Sequence, residues 1–308
     1  MKSFSCAFAL TILASFFASA RPAIASVVDL TAPTTDWTPI LYSSSNPDPS
    51  GDQQTGAKEA DIVGNALHPS AYTMFGDGNT PSLTDGTLAF RVRLGEDSSP
   101  NGFKTALFVG IDANSDGKLD LFLGVNNSGS ANTIGIWNPG TGANVSPNTT
   151  TMVSTPLVSY TPTASNYYWS AVTTINDPSV GSALDLDNGG LPAGNDFFLG
   201  FAIPFSDIVA QLAAVGITFD QNSTLTYVIA TATQANSLNQ DLNGVGGSYN
   251  ANLTWSQLGV LSNPMTAGGL AAVPEINPSV LVGLLLLAAM AHRRWAAVKR
   301  QRIAVRSR

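Results

Sequence analysis

The chain has few of the residues on which common catalytic and stabilising chemistries depend. It contains one cysteine, Cys6, and two histidines, His68 and His292. One cysteine cannot form an intramolecular disulfide, and a zinc site built from histidine and cysteine would lack ligands. Ser-His-Asp catalysis would depend on His68, which no Gly-x-Ser-x-Gly motif accompanies. The sequence therefore argues against a disulfide scaffold, a zinc enzyme and a serine hydrolase.

Basic residues are also scarce between positions 26 and 272. Of the 14 Lys and Arg residues, seven lie in 292–308 and two in 1–25, which leaves five, whereas 20 of the 21 Asp and Glu residues lie in 26–272. This central part therefore has a formal charge near −15. Such a charge opposes binding to nucleic acid and attracts divalent cations.

The N-terminal segment has the layout of a secretory signal peptide. Lys2 precedes an apolar run over 8–17, and small residues then recur as Ala18-x-Ala20 and Ala23-x-Ala25. We expect export through the Sec pathway and cleavage of 1–25 after Ala25, with Ala20 as the alternative position. A buried helix is the other interpretation, but nothing polar patterns a second face. Cleavage would remove Cys6 and leave a mature protein without thiols.

The C-terminal segment combines a short apolar run with a basic end. Residues 279–291 predict a hydrophobic helix, and 292–308 contain seven Lys and Arg residues. Positive charge on that side predicts a cytoplasmic tail. About a dozen continuous apolar residues fall short of the roughly 20 that span a bilayer comfortably, so we expect a weak or temporary anchor in the inner membrane.

This layout resembles the PEP-CTERM sorting signal of Gram-negative bacteria that make exopolysaccharide. The resemblance covers about 35 residues and consists of Val273-Pro274-Glu275, the apolar helix and the Arg293-Arg294 pair; Ile276 replaces the second proline of the motif. It implies a sorting segment over 273–308, recognition by an exosortase-type membrane protease, and delivery to the cell surface. A plain C-terminal anchor is the alternative.

The pattern over 26–272 predicts one all-β ectodomain. Thr87 to Leu94 alternates apolar and polar residues with a period of two, which is typical of a half-buried strand. Further strands are predicted over 105–111, 119–125, 133–137, 196–203 and 225–231, separated by links rich in Gly, Asn, Pro and Thr. Residues 43–58 read as an exposed loop. Many strands with one helix indicate a single jelly-roll-like β-sandwich.

One short peripheral helix is predicted over 204–215. Ile208, Leu212 and Val215 give it an apolar stripe, and Gly216 ends it. With the preceding strand, residues 196–208 read DFFLGFAIPFSDI, which resembles the strand-to-helix step of DOMON-like carbohydrate-binding modules. That resemblance covers about thirteen residues and implies a jelly-roll sandwich, a fold that often holds structural calcium.

The segment DANSDGKLD, residues 112–120, has the composition of a calcium loop. Side-chain oxygens occur at Asp112, Asn114, Asp116 and Asp120, and the Lys118 carbonyl adds another oxygen. Calcium takes six to eight oxygen ligands, which alternate residues of a curled loop can supply, and Gly117 permits the positive φ that the curl needs. We therefore predict structural Ca²⁺ here. A metal-free hairpin rich in turn-forming residues is the alternative.

The flanks of this loop exclude an EF-hand, because they are predicted strands and because Leu123 occupies the place of the last glutamate. The spacing resembles the Asp-rich loops of FG-GAP-type and dockerin-like repeats. Two other segments have weaker signals: a plain turn is favoured over a second ion site for Asn239, Asp241 and Asn243, and a turn is favoured for 185–190.

Aromatic residues offer the one indication of a ligand. Tyr167, Tyr168 and Trp169, together with Trp137 and Trp255, would form a sugar-stacking platform or, alternatively, part of the core. We expect an exported, calcium-stabilised, non-catalytic protein of the cell surface or exopolysaccharide matrix, with polysaccharide as a candidate partner. A carbohydrate-active hydrolase on the same scaffold is the alternative.

Overall fold

The computed structural model describes most of the central part of the chain. The described residues are 28–42, 48–55, 57–77, 80–97, 102–181, 184–187, 194–247, 251–267 and 269–270. The predicted signal peptide and the predicted sorting segment, including Val273, Pro274, Glu275, Arg293 and Arg294, lie outside them. In the described part, no helix combines the length and apolar character needed to cross a membrane.

The described chain forms an antiparallel β-sandwich, which confirms the predicted all-β class. One sheet has the order β1-β2-β3-β9-β8 and the other has the order β11-β10-β4-β5-β6-β7. The strands are β1 (Thr38–Pro39), β2 (Ala71–Gly76), β3 (Thr87–Glu96), β4 (Ala106–Asp112), β5 (Leu121–Asn126), β6 (Thr133–Trp137), β7 (Val158–Tyr160), β8 (Tyr167–Ala171), β9 (Asp196–Pro204), β10 (Thr226–Ala232), β11 (Asp241–Leu242), β12 (Met265–Thr266) and β13 (Gly269–Leu270).

The main core lies between the two sheets. Alternate residues of β3 and β9 face alternate residues of β4, β5, β6 and β10, and together they form one hydrophobic cluster. Phe90 of β3 connects the layers, since its ring centroid lies 5.4 Å from that of Phe201 in β9 and 5.2 Å from that of Tyr227 in β10. Burial of these faces is the main force that holds the sheets together.

The outer faces of both sheets are covered as well. Trp37 and Val180, from the segments before β1 and after β8, pack on the outside of the five-stranded sheet. Leu238 and Trp255 pack on the outside of the six-stranded sheet. The prediction that β3 is half buried was therefore wrong: Arg91 and Arg93, placed on the polar face, are both 0% exposed.

Two helices accompany the sheets in the described residues, α1 (Phe205–Ala214) and the short α2 (Trp255–Leu258). As predicted, α1 follows Pro204, ends before Gly216 and buries Ile208 and Leu212. Val215, predicted to belong to the apolar stripe, lies beyond the last turn and is 55% exposed.

Candidate metal centres

The predicted calcium loop connects β4 to β5 at one end of the six-stranded sheet. Asp112 is the last residue of β4, and Asp120 directly precedes β5. Between them the backbone curls through the left-handed region at Ser115, with φ 60°, and at Gly117, with φ 79°. The positive φ expected of Gly117 is confirmed. Glycine adopts this conformation without the steric penalty that other residues meet.

Hydrogen bonds within the loop orient its side-chain oxygens. The Gly117 N–H donates to Asp112 Oδ2 at 2.9 Å, the Asp116 N–H donates to Asn114 Oδ1 at 2.9 Å, and the Lys118 N–H donates to Asp116 Oδ1 at 2.9 Å. Asp120 Oδ2 accepts from the Ala113 N–H at 2.8 Å. Each of these four side chains is thus held by the loop's own backbone, and each keeps lone pairs for a further ligand.

Burial raises the pKa of two carboxyls in this loop. It raises the pKa of Asp120 to about 6, with a smaller contribution from the charges of Asp112 and Asp116, and it raises the pKa of Asp112. Lys118 Nζ lies 3.6 Å from Asp116 Oδ2, but both side chains are largely exposed, so this pair contributes little. The loop collects negative charge without a buried counter-charge, and its calcium site stays a prediction.

Among the described residues, three carboxylates with oxygens within 4.8 Å of one another occur at two places, and the 112–120 loop is not one of them. The first place contains Asp48, Asp52 and Asp241, with Asp61 beside them. We call these four residues the buried acid cluster. Asp48 is 3% exposed, Asp61 1% and Asp241 0%. Asp48 and Asp52 come from the segment before the 3₁₀ turn Lys58–Ala60, Asp61 follows that turn, and Asp241 begins β11.

Each carboxylate of the buried acid cluster accepts one hydrogen bond from a backbone N–H. The Gly247 N–H donates to Asp52 and the Gly51 N–H to Asp61, both at 2.8 Å. The Ile62 N–H donates to Asp241 at 2.6 Å, and the Gly244 N–H donates to Asp48. The second oxygen of all four side chains, namely Asp48 Oδ2, Asp52 Oδ1, Asp61 Oδ1 and Asp241 Oδ1, is buried without a hydrogen-bond partner in the described structure.

The electrostatics of the buried acid cluster are unfavourable to four ionised carboxylates. Burial is the largest cause that raises the pKa of each of these carboxyls. The pKa of Asp61 rises to about 7, that of Asp52 also rises, and those of Asp48 and Asp241 rise well above the usual range. The charges of neighbouring aspartates raise the pKa of Asp48, Asp61 and Asp241 further. Two like charges about 4 Å apart repel by roughly 4 kcal/mol at an effective dielectric constant of 20. No Lys or Arg of the described part forms an ion pair with the cluster.

The sequence interpretation missed this cluster. Residues 43–58 were predicted to form an exposed loop, but Asp48 is buried because its segment packs against the turn that follows β11. Asp241 was noted, yet with the wrong neighbours. Asn239 Oδ1 accepts from the Thr233 N–H at 3.2 Å, and Asn243 Oδ1 accepts from the Ser70 hydroxyl at 2.6 Å. Both amides therefore have other partners.

The second such place contains Asp185, Asp187 and Asp196. This group has counter-charges within reach. Lys58 Nζ lies 3.4 Å from Asp187, and Arg93 Nε lies 2.6 Å from Asp196 Oδ2. The turn expected over 185–190 is described only in part, since 188–190 lie outside the described residues. These ion pairs give Asp187 and Asp196 a counter-charge without a metal.

His68, on which serine-hydrolase chemistry would depend, is 8% exposed. Its imidazole Nδ1 has no hydrogen-bond partner among the described residues. The described structure thus places no carboxylate on Nδ1, the contact that a Ser-His-Asp arrangement requires.

The five aromatic residues considered as a sugar platform do not form one surface. Trp137 and Trp255 are 1% and 0% exposed and belong to the core outside the six-stranded sheet. Tyr167, Tyr168 and Trp169 lie on the edge strand β8 and are half buried. Trp169 stacks on Phe197 with ring centroids 4.9 Å apart. The core alternative is therefore correct for two of the five residues.

Tyr167 and Trp169 of β8 line a groove together with the segment before β4 and the connection between β5 and β6. The groove has a volume of ≈ 460 Å³ and is also lined by Phe103, Lys104 and Asn127. Aromatic faces combined with an amide and an amine are chemically suited to the apolar faces and hydroxyls of a sugar.

Comparison of the chain with protein-family models, with curated proteins and with solved structures finds no match in any of the three. The resemblances of the sorting segment and of residues 196–208 therefore stay predictions.

Proposed function

We propose that this protein is an exported, non-catalytic component of the bacterial cell surface or exopolysaccharide matrix, stabilised by calcium. The observation that carries the proposal is the loop over 112–120, in which Asp112, Asn114, Asp116 and Asp120 present oxygens along a single left-handed curl. Calcium is abundant outside cells, and its oxygen preference matches these donors. The signal-like and sorting-like segments support an extracytoplasmic location.

Calcium binding at the loop is tested by stoichiometry and by thermal unfolding. Calcium at 100 times its dissociation constant stabilises a folded protein by about 2.7 kcal/mol. For a domain of this size, where 1 kcal/mol shifts Tm by about 2–4 °C, the expected gain is roughly 5–11 °C per site. Asp112→Asn should bind one calcium fewer than wild type, whereas the exposed control Asp36→Asn should bind the full number. Equal stoichiometry in wild type and Asp112→Asn would contradict a loop site.

Export and sorting are tested by mass spectrometry of the protein recovered from cells that express an exosortase. We expect a mature N-terminus at Ser26 and loss of the C-terminal segment. An intact C-terminus in those cells would favour a plain anchor.

Glycan binding is a second candidate function, favoured by the groove at Tyr167 and Trp169. Immobilised acidic and neutral polysaccharides should retain wild type, and Trp169→Ala should weaken the retention. Leu67→Ala, which truncates an apolar side chain that is 80% exposed and absent from the groove lining, is the control. Retention without release of sugar supports a binding protein, whereas release of sugar would support the hydrolase alternative.

A further inference from the structure

We infer that the buried acid cluster, Asp48, Asp52, Asp61 and Asp241, is a calcium site that links the two sheets of the sandwich. This site is distinct from the loop over 112–120, shares no residue with it, and does not depend on whether that loop binds a metal.

The first observation is the number of buried oxygens without a partner. Asp48 and Asp241 are at least nine-tenths buried, and each has one carboxylate oxygen that meets no donor in the described structure. Asp61 and the partly buried Asp52 also have one buried oxygen each without a partner, and so does the side-chain carbonyl of Gln53, next to Asp52 in sequence. Buried polar atoms almost always find a partner, so several orphans in one place indicate a ligand that completes the set.

The second observation is how the bonded oxygens position the orphans. One oxygen of every carboxylate is fixed by a backbone N–H, from Gly51, Ile62, Gly244 or Gly247. The side chains are therefore held before any ion binds, and the orphan oxygens of Asp48, Asp52 and Asp241 belong to carboxylates whose ligand atoms approach within 4.8 Å. Such support by a second layer of hydrogen bonds is usual around metal ligands.

The donor set selects the kind of ion. It contains carboxylate oxygens and neither a histidine nor a cysteine, which disfavours zinc, copper and iron. Magnesium usually takes one or two carboxylates and keeps several waters, whereas calcium accepts many protein oxygens in irregular geometry. Three converging carboxylates, those of Asp48, Asp52 and Asp241, with Asp61 beside them, match calcium.

The position of the site predicts its effect. Asp241 begins β11, which pairs with β10 in the six-stranded sheet. Asp61 precedes Ile62, which forms a β-bridge with Leu94 of the five-stranded sheet. An ion held by both aspartates therefore connects the two sheets and fixes the segment over 48–55 against the turn after β11. Calcium should protect that segment from proteolysis and hydrogen exchange.

The experiment uses the full chain, stripped with chelator and dialysed at pH 7.5, with calcium chloride alone as the probe. Calcium binding is measured by equilibrium dialysis and titration calorimetry for wild type, Asp241→Asn, Asp112→Asn and the exposed control Asp36→Asn. Asp241→Asn should lose one calcium per chain, or bind it roughly 100-fold or more weakly. Asp36→Asn should match wild type.

Combinations of variants separate this site from the loop. If both sites exist, Asp112→Asn and Asp241→Asn each lose one calcium, and the double variant loses two. If Asp241→Asn loses one calcium and Asp112→Asn loses none, the result supports this inference and contradicts the proposed loop site. Asparagine keeps the shape of aspartate and removes a buried charge, so the Tm of metal-free Asp241→Asn should be no lower than that of metal-free wild type. An equal or higher Tm would show that the loss of calcium binding does not result from misfolding.

Three results would overturn the inference. The first is identical calcium stoichiometry and affinity in wild type and Asp241→Asn. The second is tighter binding of magnesium than of calcium at this site. The third is a wild-type chain that binds no calcium at pH 7.5 outside the 112–120 loop, in which case shared protons neutralise the cluster.

Discussion

Replacing Arg93 by methionine should destabilise the sandwich strongly, because it removes the positive charge from a buried ion-pair group. Arg93 is 0% exposed. Its Nε donates to Asp196 Oδ2 at 2.6 Å, and its Nη1 lies 3.6 Å from Asp177 Oδ2. Both aspartates are also 0% exposed, so the variant would leave two carboxylates in the interior without their cation.

The expected loss of unfolding free energy depends on the hydrogen bonds that each carboxylate retains in the variant. Breaking a buried ion pair by removing one partner costs roughly 3–5 kcal/mol. Asp177 keeps the hydrogen bond from the Thr34 hydroxyl at 2.9 Å, and Asp196 keeps the one from the Leu186 N–H at 3.0 Å. We therefore expect a loss near the lower end, about 3 kcal/mol, and a fall in Tm of roughly 6–12 °C.

The assay is urea unfolding followed by tryptophan fluorescence, with calcium held constant. Lys104→Met, which removes an exposed cation, should change the free energy of unfolding by less than about 0.5 kcal/mol. Arg93→Met combined with Asp196→Asn should recover part of the loss, because the second change removes one stranded charge. A loss below about 1 kcal/mol in Arg93→Met, or no recovery in the double variant, would refute the reasoning.

Two further predictions concern the covered outer faces. Arg91→Met should release the segment over 28–37 and lower the free energy of unfolding by about 2–4 kcal/mol. The reason is that Arg91 donates to the Leu30 and Ala32 carbonyls at 2.6 and 2.7 Å and stacks on Trp37. The variant should be cleaved earlier than wild type in limited proteolysis, and unchanged cleavage would contradict the prediction. Gly124→Ala should lower the urea midpoint sharply, since its Cβ would lie 2.2 Å from the Leu107 carbonyl oxygen; a midpoint equal to that of wild type would show that the strands can separate without cost.

The strands with strong local patterns could be predicted from the sequence. Thr133 to Trp137 was predicted with the bounds that β6 has, and the other five predicted strands match observed strands to within two residues at each end. Seven of the thirteen strands in the described residues were missed, among them β2 and β8. Every residue of β8 is half buried and both of its faces carry aromatics, so it lacks the alternation that indicates a strand.

The two candidate ion sites differ in how far apart their ligands lie along the chain. The donors of the 112–120 loop fall within nine residues, so spacing alone indicates them. In the buried acid cluster, by contrast, Gly244 donates to Asp48 from 196 residues away. Asp48 and Asp52 occur among Pro, Ser and Gly, a composition that is typical of exposed turns. No local pattern distinguishes them from solvated aspartates.

The amino-acid order by itself determined the all-β class, the helix after Pro204 and the curl at Gly117, because each depends on side-chain periodicity or backbone preference within about ten residues. Only the tertiary structure decided which polar residues are buried. Burial depends on what covers each face: residues 28–37 cover Arg91, and the turn after β11 covers Asp48. An unpaired charge is costly once it is removed from water, and in this protein the segment that excludes the water lies far away in the sequence.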